Sequence, residues 1–289
     1  MWEEEAEFLE NYKIDDFERP SIAVDIVVFS IVKDGDGVNY RKDAQNKLKV
    51  LLVKRAEFPF KDFWALPGGF VIKGESPVET ARRELKEETN VEGAFLRTLD
   101  VIGDVGRDPR GWIISNSYIA LVNSDDMVIH GGSDTSRAEW FNIEIKEKSK
   151  SREIVDGTIY KSAVYELYLN ELLVSEVEVK RVYANYHESV SYNIIKNQFL
   201  AFDHAKIIVE GILKLRDETD KDGRVVFDLL PDKFTFADLQ KSYEIVLDKE
   251  QLVANFRRKM SEYVIETDLT DEVKGHRPAK LFIRNLDKF

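Results

Sequence analysis

Three glutamates stand close together in the chain, at Glu84, Glu87 and Glu88. In a helix the spacing i, i+3, i+4 sets them on one face. Three carboxylates held that near repel one another unless a cation sits among them, and hard oxygen donors select magnesium or manganese. A cation so held can neutralise a diphosphate and lower the pKa of an attacking water. Glu84, Glu87 and Glu88 are therefore the candidate metal ligands and catalytic residues. Arg83 lies four residues from both Glu79 and Glu87 and can hold the cluster in place. Gly68 and Gly69 allow the backbone to turn tightly beside it. The plain alternative for such a run is a solvated charged helix.

The elements that must carry these residues are legible in outline. Ser76 followed by Pro77 reads as an N-cap and a first-turn proline, which predicts a helix over 76–89. The β-branched, apolar stretches 21–33 and 48–55 predict central strands, and 112–123 and 137–143, around Trp140 and Phe141, predict two more. This is an α/β pattern. From about residue 200 it changes to helices. Apolar spacing predicts one over 203–217. Thr235 can cap a second running to about Leu247, and Asp248 a third running to about Met260, with Gln251 at the capping-box position. Short strands near 263–268 and 279–284 flank a polar loop at 269–278. Three helices and then a hairpin is the order of a winged helix-turn-helix.

Residues 69–91 also fit the pattern G-x5-E-x7-R-E-U-x-E-E-x-G-U, where U is a bulky aliphatic, at every fixed position but one. The matches are Gly69, Glu75, Arg83, Glu84, Glu87 and Glu88, and here the sequence resembles the Nudix hydrolase family. The resemblance implies an α/β/α sandwich with a mixed sheet, and a structural part in the box for Gly69, Glu75 and Arg83. Asn90 departs from the pattern's last glycine. That glycine ends the helix in the left-handed conformation, which Asn tolerates best after Gly, so the change conserves geometry.

A second cluster, Arg107-Asp108-Pro109-Arg110-Gly111, resembles the segment of Nudix proteins that recognise ADP-ribose. The planar fork of Arg suits a diphosphate, so Arg107 and Arg110 are candidate ligand residues; an ordinary polar turn is the alternative. Arg137, just before Trp140, can face the same pocket or lie on the surface. A general base is expected in a loop at 144–156, with Glu144, Glu147 and Glu153 as candidates. The histidines at 130, 187, 204 and 276 lack metal-ligand spacing and are expected to be structural or solvated.

On a helical wheel of 248–260, Leu252, Val253, Phe256 and Met260 share one side, and Gln251, Ala254, Asn255 and Arg258 the other. Arg, Gln and Asn pair with base edges, and Arg257 and Lys259 flank them as phosphate contacts. The polar loop adds Arg277 and Lys280. From these residues alone, a groove of DNA and a protein surface fit equally well.

Charge sharpens the picture. The chain of 289 residues has a net charge of -12. Residues 194–289 hold 17 Lys+Arg against 18 Asp+Glu, a net of -1, so the acidity belongs to residues 1–193, at -11. Phosphate affinity follows local basic clusters, so the whole-chain value does not exclude nucleic acid. There are no cysteines, which excludes disulfides and thiolate zinc sites. No apolar run reaches the roughly 18–20 residues of a membrane span, and the acidic amino terminus does not read as a signal peptide. A cytoplasmic protein is expected.

The segments at 200–216 and 227–244, Asn255–Lys259 and the 275–282 loop, following a Nudix pattern, resemble the NrtR family of Nudix-related regulators of NAD metabolism. The resemblance implies a Nudix domain over 1–200 and a winged helix-turn-helix over 201–289. It also implies a homodimer on palindromic operator DNA, governed by ADP-ribose or a related nucleotide. The three intact glutamates leave hydrolysis open. The alternative is a magnesium-dependent ADP-ribose pyrophosphatase whose last domain serves dimerisation.

Overall fold

The computed structural model describes residues 2–13, 16–33, 46–123, 135–271 and 278–289. A first helix, α1 (Glu3–Asn11), leads to β1 (Ser21–Lys33), β2 (Asn46–Arg55) and the short β3 (Trp64–Ala65) and β4 (Gly68–Phe70). Then come α2 (Pro77–Thr89), β5 (Phe95–Ile102) and β6 (Ile113–Leu121). Four long strands follow: β7 (Thr135–Val155), β8 (Thr158–Leu169), β9 (Leu172–Ala184) and β10 (His187–Asn197). The remainder is α3 (His204–Lys221), β11 (Phe234–Thr235), α4 (Phe236–Leu247), α5 (Val253–Met260), β12 (Val264–Thr270) and β13 (Lys280–Arg284).

One mixed sheet runs in the order β10-β9-β8-β7-β2-β1-β6-β5, with β3 on β2 and β4 on β1. β1 and β6 are parallel and the other pairs antiparallel. The two-residue period of β1 divides its side chains between two cores. Val24, Ile26 and Val28 pack with Ala81 and Leu85 of α2. Val27 and Phe29 face the other way, into a core that holds Ile208 and Ile212 of α3. Helices on both faces of a mixed sheet give the expected α/β/α sandwich.

The second core does not stop at α3. It continues without a break through Val226, Phe227 and Phe234 to Leu239 and Val246 of α4 and Phe256 of α5. There α3, α4 and α5 meet a three-stranded sheet in the order β11-β13-β12, a winged helix. Polar ties cross the same junction. Arg97 of β5 and Arg284 of β13 both reach Asp228, at 2.9 Å and 2.8 Å. Lys214 of α3 donates to the Thr98 carbonyl at 2.8 Å.

Three features differ from the sequence expectation. The loop expected at 144–156 is strand, because β7 runs on past β2 and pairs with β8 from Ile143 to Val155. Two-residue turns with positive φ at Asp156-Gly157, Asn170-Glu171 and Asn185-Tyr186 fold β7–β10 into a meander. The third helix of the winged region starts at Val253, not at Asp248. Asp248 instead closes α4 in the left-handed conformation, φ 53°. Glu244 accepts the Gln251 N–H at 2.9 Å and Gln240 donates to the Gln251 carbonyl at 3.0 Å, so α4 holds that segment out of helix. Leu252 and Val253 are consequently exposed, at 74% and 63%, while Phe256 and Met260 are buried as expected.

Candidate functional site

Helix α2 is built to present its glutamates. Ser76 accepts from the Glu79 N–H, and Glu79 returns the bond to the Ser76 N–H at 2.8 Å. At the other end Asn90 takes φ 59° and donates to the Lys86 carbonyl, which fulfils the expectation for the missing glycine. Thr80, Ala81 and Leu85 face the core, which turns Glu84, Glu87 and Glu88 toward the loop at 67–70.

The three glutamates share one pocket of about 300 Å³ with Arg55, Leu66 and Phe70. Arg83 organises its rim. Its Nη1 donates to Glu84 at 2.7 Å and Glu87 at 3.1 Å, and its Nε donates to Glu75 at 2.9 Å. Bonds from Arg83 and then from Thr80 hold the Glu75 carboxyl below its usual pKa. Glu88 accepts the Gly68 N–H at 2.9 Å. Space requires glycine at Gly68, where a Cβ would lie 2.0 Å from the Val24 carbonyl oxygen; at Gly69 a Cβ would lie 2.3 Å from a Glu84 carboxylate oxygen and would displace that side chain.

Among the described residues no three carboxylates or histidines converge on a single metal position. The donor set still suits a hard dication. Three carboxylates line one wall, and a side chain at Gly69 would fill the space beside Glu84.

A smaller space of about 100 Å³ adjoins the pocket and shares Arg55, Leu66, Gly69 and Phe70 with it. Arg110 opens onto this space. It pairs with Asp108 at 2.6 Å and lies over the rings of Phe70 and Phe202, 4.9 Å and 5.2 Å from their centroids. Burial raises the Asp108 pKa, but its bonds from Arg110 outweigh burial and leave it lowered. Arg55, which the sequence reading missed, stands at the end of β2 with its guanidinium 4.9 Å from the same Phe202 ring. Its one sequence signal is its place at a strand end, shortly before the Pro67-Gly68-Gly69 turn.

Arg107 is placed differently. Its side chain is 5% exposed and holds Asp203 at 2.8 Å and Asp25 at 3.1 Å. Asp25 also accepts from Ser115 at 2.6 Å and faces His204 Nε2 at 3.3 Å. Burial raises the Asp25 pKa, but the His204 ring beside it, the charge of Arg107 and the Ser115 bond carry it well below the carboxylate range. His204 is structural, as expected: its Nδ1 accepts the Leu66 N–H at 2.8 Å, which puts the ring proton on the nitrogen toward Asp25. Arg137 is 68% exposed, pairs with Glu139 and is not among the residues lining the pocket. Glu144, Glu147 and Glu153 lie on β7, outside the pocket lining, and Glu144 and Glu147 pair with Lys146 and Lys150. His130, His276 and Arg277 fall outside the described residues.

In the winged region, Asn255, Arg257 and Arg258 lie exposed on α5. Arg257 covers the Phe236 ring at 4.7 Å, and Arg258 approaches Asn255 at 3.4 Å. Lys259 is a strut: it donates to the Tyr243 hydroxyl at 2.7 Å and the Asp220 carbonyl at 3.0 Å. Gln251 precedes the helix. Lys280, on β13, pairs with Glu266 at 3.3 Å.

Sheet, glutamate helix and appended three-helix unit define a Nudix protein joined to a winged helix. The NUDIX domain family matches residues 37–158, and the NrtR DNA-binding winged helix domain matches residues 226–283. The chain thus carries a NUDIX domain followed by an NrtR-type winged helix domain. It is 27% identical over 281 residues to the ADPR responsive transcriptional repressor NtrR of Acinetobacter baylyi, covering 96% of this chain and 87% of that one. It is 42% identical over 95 residues to the ADP-ribose pyrophosphatase of Methanocaldococcus jannaschii, covering 33% of this chain and 55% of the relative. The crystal structure of a MutT/nudix family protein from Enterococcus faecalis superposes with a TM-score of 0.66 at 26% identity, covering 99% of this chain and 94% of that one.

Proposed function

We propose that the protein is a DNA-binding transcriptional regulator whose Nudix half binds ADP-ribose or a related nucleotide diphosphate. The observation that carries this is the unbroken core from the pocket-bearing sheet through α3 to α5. A change at the pocket that alters the seat of α3 must reach the winged helix. The kinship with an ADPR responsive repressor along nearly the whole chain supports the same reading.

In this reading Arg110 and Arg55 grip the diphosphate, and Arg107 acts at one remove by fixing Asp25 and Asp203. The family generally uses a divalent metal. Glu84, Glu87 and Glu88 would hold magnesium or manganese, which would neutralise the diphosphate and acidify a nearby water. Arg83 sets the glutamate positions, and the Gly68 N–H holds Glu88. On the DNA side Arg258 and Asn255 face base edges, and Arg257 and Lys280 take phosphates. Two copies would set their α5 helices roughly 34–36 Å apart on a palindrome. We divide the chain near residue 200, with α3 serving both parts. No helix among the described residues is long and apolar enough to cross a membrane, which suits work in the cytoplasm.

The intact glutamates favour one second reading, a magnesium-dependent hydrolase. A mobility shift on DNA from the gene's own promoter region separates the two. Regulation predicts a shifted band that ADP-ribose releases. No band under any condition, with brisk ADP-ribose cleavage lost in Glu88→Gln, would give the case to the enzyme.

A further inference from the structure

We infer that Phe202 reads the ligand pocket and passes its state to α3, so that a diphosphate held by Arg55 and Arg110 fixes the first turn of that helix. The inference rests on the nucleotide-diphosphate reading of the pocket given above.

Phe202 carries φ 49°, a conformation that a bulky side chain keeps only when its surroundings hold it there. The holding groups come from both sides. The Trp64 N–H donates to the Phe199 carbonyl at 3.2 Å, and the Ala201 N–H to the Trp64 carbonyl at 2.8 Å, so the residues before Phe202 run bridged to β3. After it, Asp203 is taken by Arg107 and His204 is tied to Leu66 and Asp25. Phe60 meets the ring at a steep angle, 4.8 Å between centroids. The Phe202 side chain, with that of His204, is thus the part of a pinned segment that lines the pocket.

What it meets there is two guanidiniums, Arg55 at 4.9 Å and Arg110 at 5.2 Å. Asp108 pairs with Arg110 at 2.6 Å, but one carboxylate beside two guanidiniums leaves room for a further anion. Burial and then the charge of Arg110 lower the Arg55 pKa, and Asp108, Glu88 and Glu57 offset only part of this. A diphosphate entering beside them cancels the repulsion and holds both cations where they lie against the ring. The ring is then clamped, and with it the backbone that becomes α3 two residues later. The ligand shifts the equilibrium only as far as it prefers the clamped arrangement.

Amide hydrogen exchange over residues 200–208 tests this in the full-length protein. Wild type, Phe202→Leu and Phe202→Tyr are compared with and without saturating ADP-ribose, with binding followed separately by calorimetry. Wild type and Phe202→Tyr, which keeps the ring face, should show exchange slowed by about tenfold or more. Phe202→Leu, which fills the space without that face, should bind ADP-ribose and show no slowing. Should Phe202→Leu fail to fold, Arg55→Gln takes its place: it leaves the ring intact, removes one cation, and should also lose the slowing at saturation. Full slowing in Phe202→Leu or Arg55→Gln, or wild-type binding without slowing, overturns the relay and leaves the nucleotide site standing. Absence of ADP-ribose binding to wild type overturns the nucleotide reading, and the relay falls with it.

Discussion

Arg83 gathers Glu75, Glu84 and Glu87 on the outer face of α2, with 26% of its side chain exposed. Arg107 gathers Asp25 and Asp203 beneath the start of α3, with 5% exposed. Each is an arginine shared between carboxylates, and their settings assign them different work. In the open cluster solvent screens each bond, so the group can rearrange around a ligand at little cost. In the closed cluster, which Lys206 joins 3.2 Å from Asp203, the charges have left water, and removing one partner leaves the others short of countercharge. The first belongs to a site that must accept something; the second fastens α3 to the sheet.

The largest test of that contrast is Arg107→Ala. It should cost about 3 kcal/mol of stability, because Asp25 and Asp203 lose the buried cation they share, Asp25 keeping only Ser115 and His204 and Asp203 only Lys206. Arg83→Ala should cost about 1 kcal/mol or less. Urea unfolding measures both, and equal losses would erase the distinction. Next is Arg110→Ala, expected to weaken ADP-ribose binding by about 1.5–3 kcal/mol in calorimetry, the range of a charged hydrogen bond. Arg137→Ala should leave the affinity unchanged, since Arg137 lies exposed beside Glu139.

A smaller effect depends on pH. Burial, and then the charge of Asp100, push the Glu210 carboxyl on α3 up to about 7 from a usual 4.5. The folded state therefore binds a proton more tightly than the unfolded chain. Its contribution to stability is complete below pH 4.5 and is lost as pH rises through about 7. Glu210→Gln should flatten that decline and add about 1 kcal/mol at pH 8, after allowance for partial solvent contact. An unaltered slope of stability between pH 5 and 8 would show that Glu210 does not titrate there. Lys259→Ala should have a comparable or smaller effect, about 1 kcal/mol, through its lost bonds to Tyr243 and Asp220. If it instead weakened DNA binding without any change in thermal stability, Lys259 would be a phosphate contact and not a strut.

How much of this was legible in the sequence follows from how local each signal is. The α2 glutamates, the Ser76 cap and the role of Asn90 depend on residues within one helix, and they stand as expected. So do β1 and the last hairpin, set by a continuous β-branched, apolar run and by two short strands about a polar loop. The β7–β10 meander was missed although Asp156-Gly157 is a strong turn signal. Its strands carry many Lys and Glu and lack a continuous apolar face, so 144–156 looked like loop. The start of α5 was misjudged because Asp248 and Gln251 imitate a capping box, while Glu244 and Gln240 of α4 claim that backbone. The difference between Arg107 and Arg110 could not be seen at all. It depends on Asp25 and Asp203, residues distant in the chain and adjacent only after folding. Arg55 is the same lesson inverted, a lone strand-end residue made significant by Phe202 and Arg110.

The central claim is that the nucleotide pocket and the winged helix share one equilibrium through a common core. The most direct measurement is calorimetry of ADP-ribose against the full-length protein, free and saturated with DNA from its own promoter region. A shared equilibrium predicts weaker ADP-ribose binding in the DNA complex, by the same factor with which ADP-ribose weakens DNA binding. A coupling of about 1–3 kcal/mol makes that factor roughly five to 150. Equal ADP-ribose affinity in the free protein and the DNA complex would contradict it.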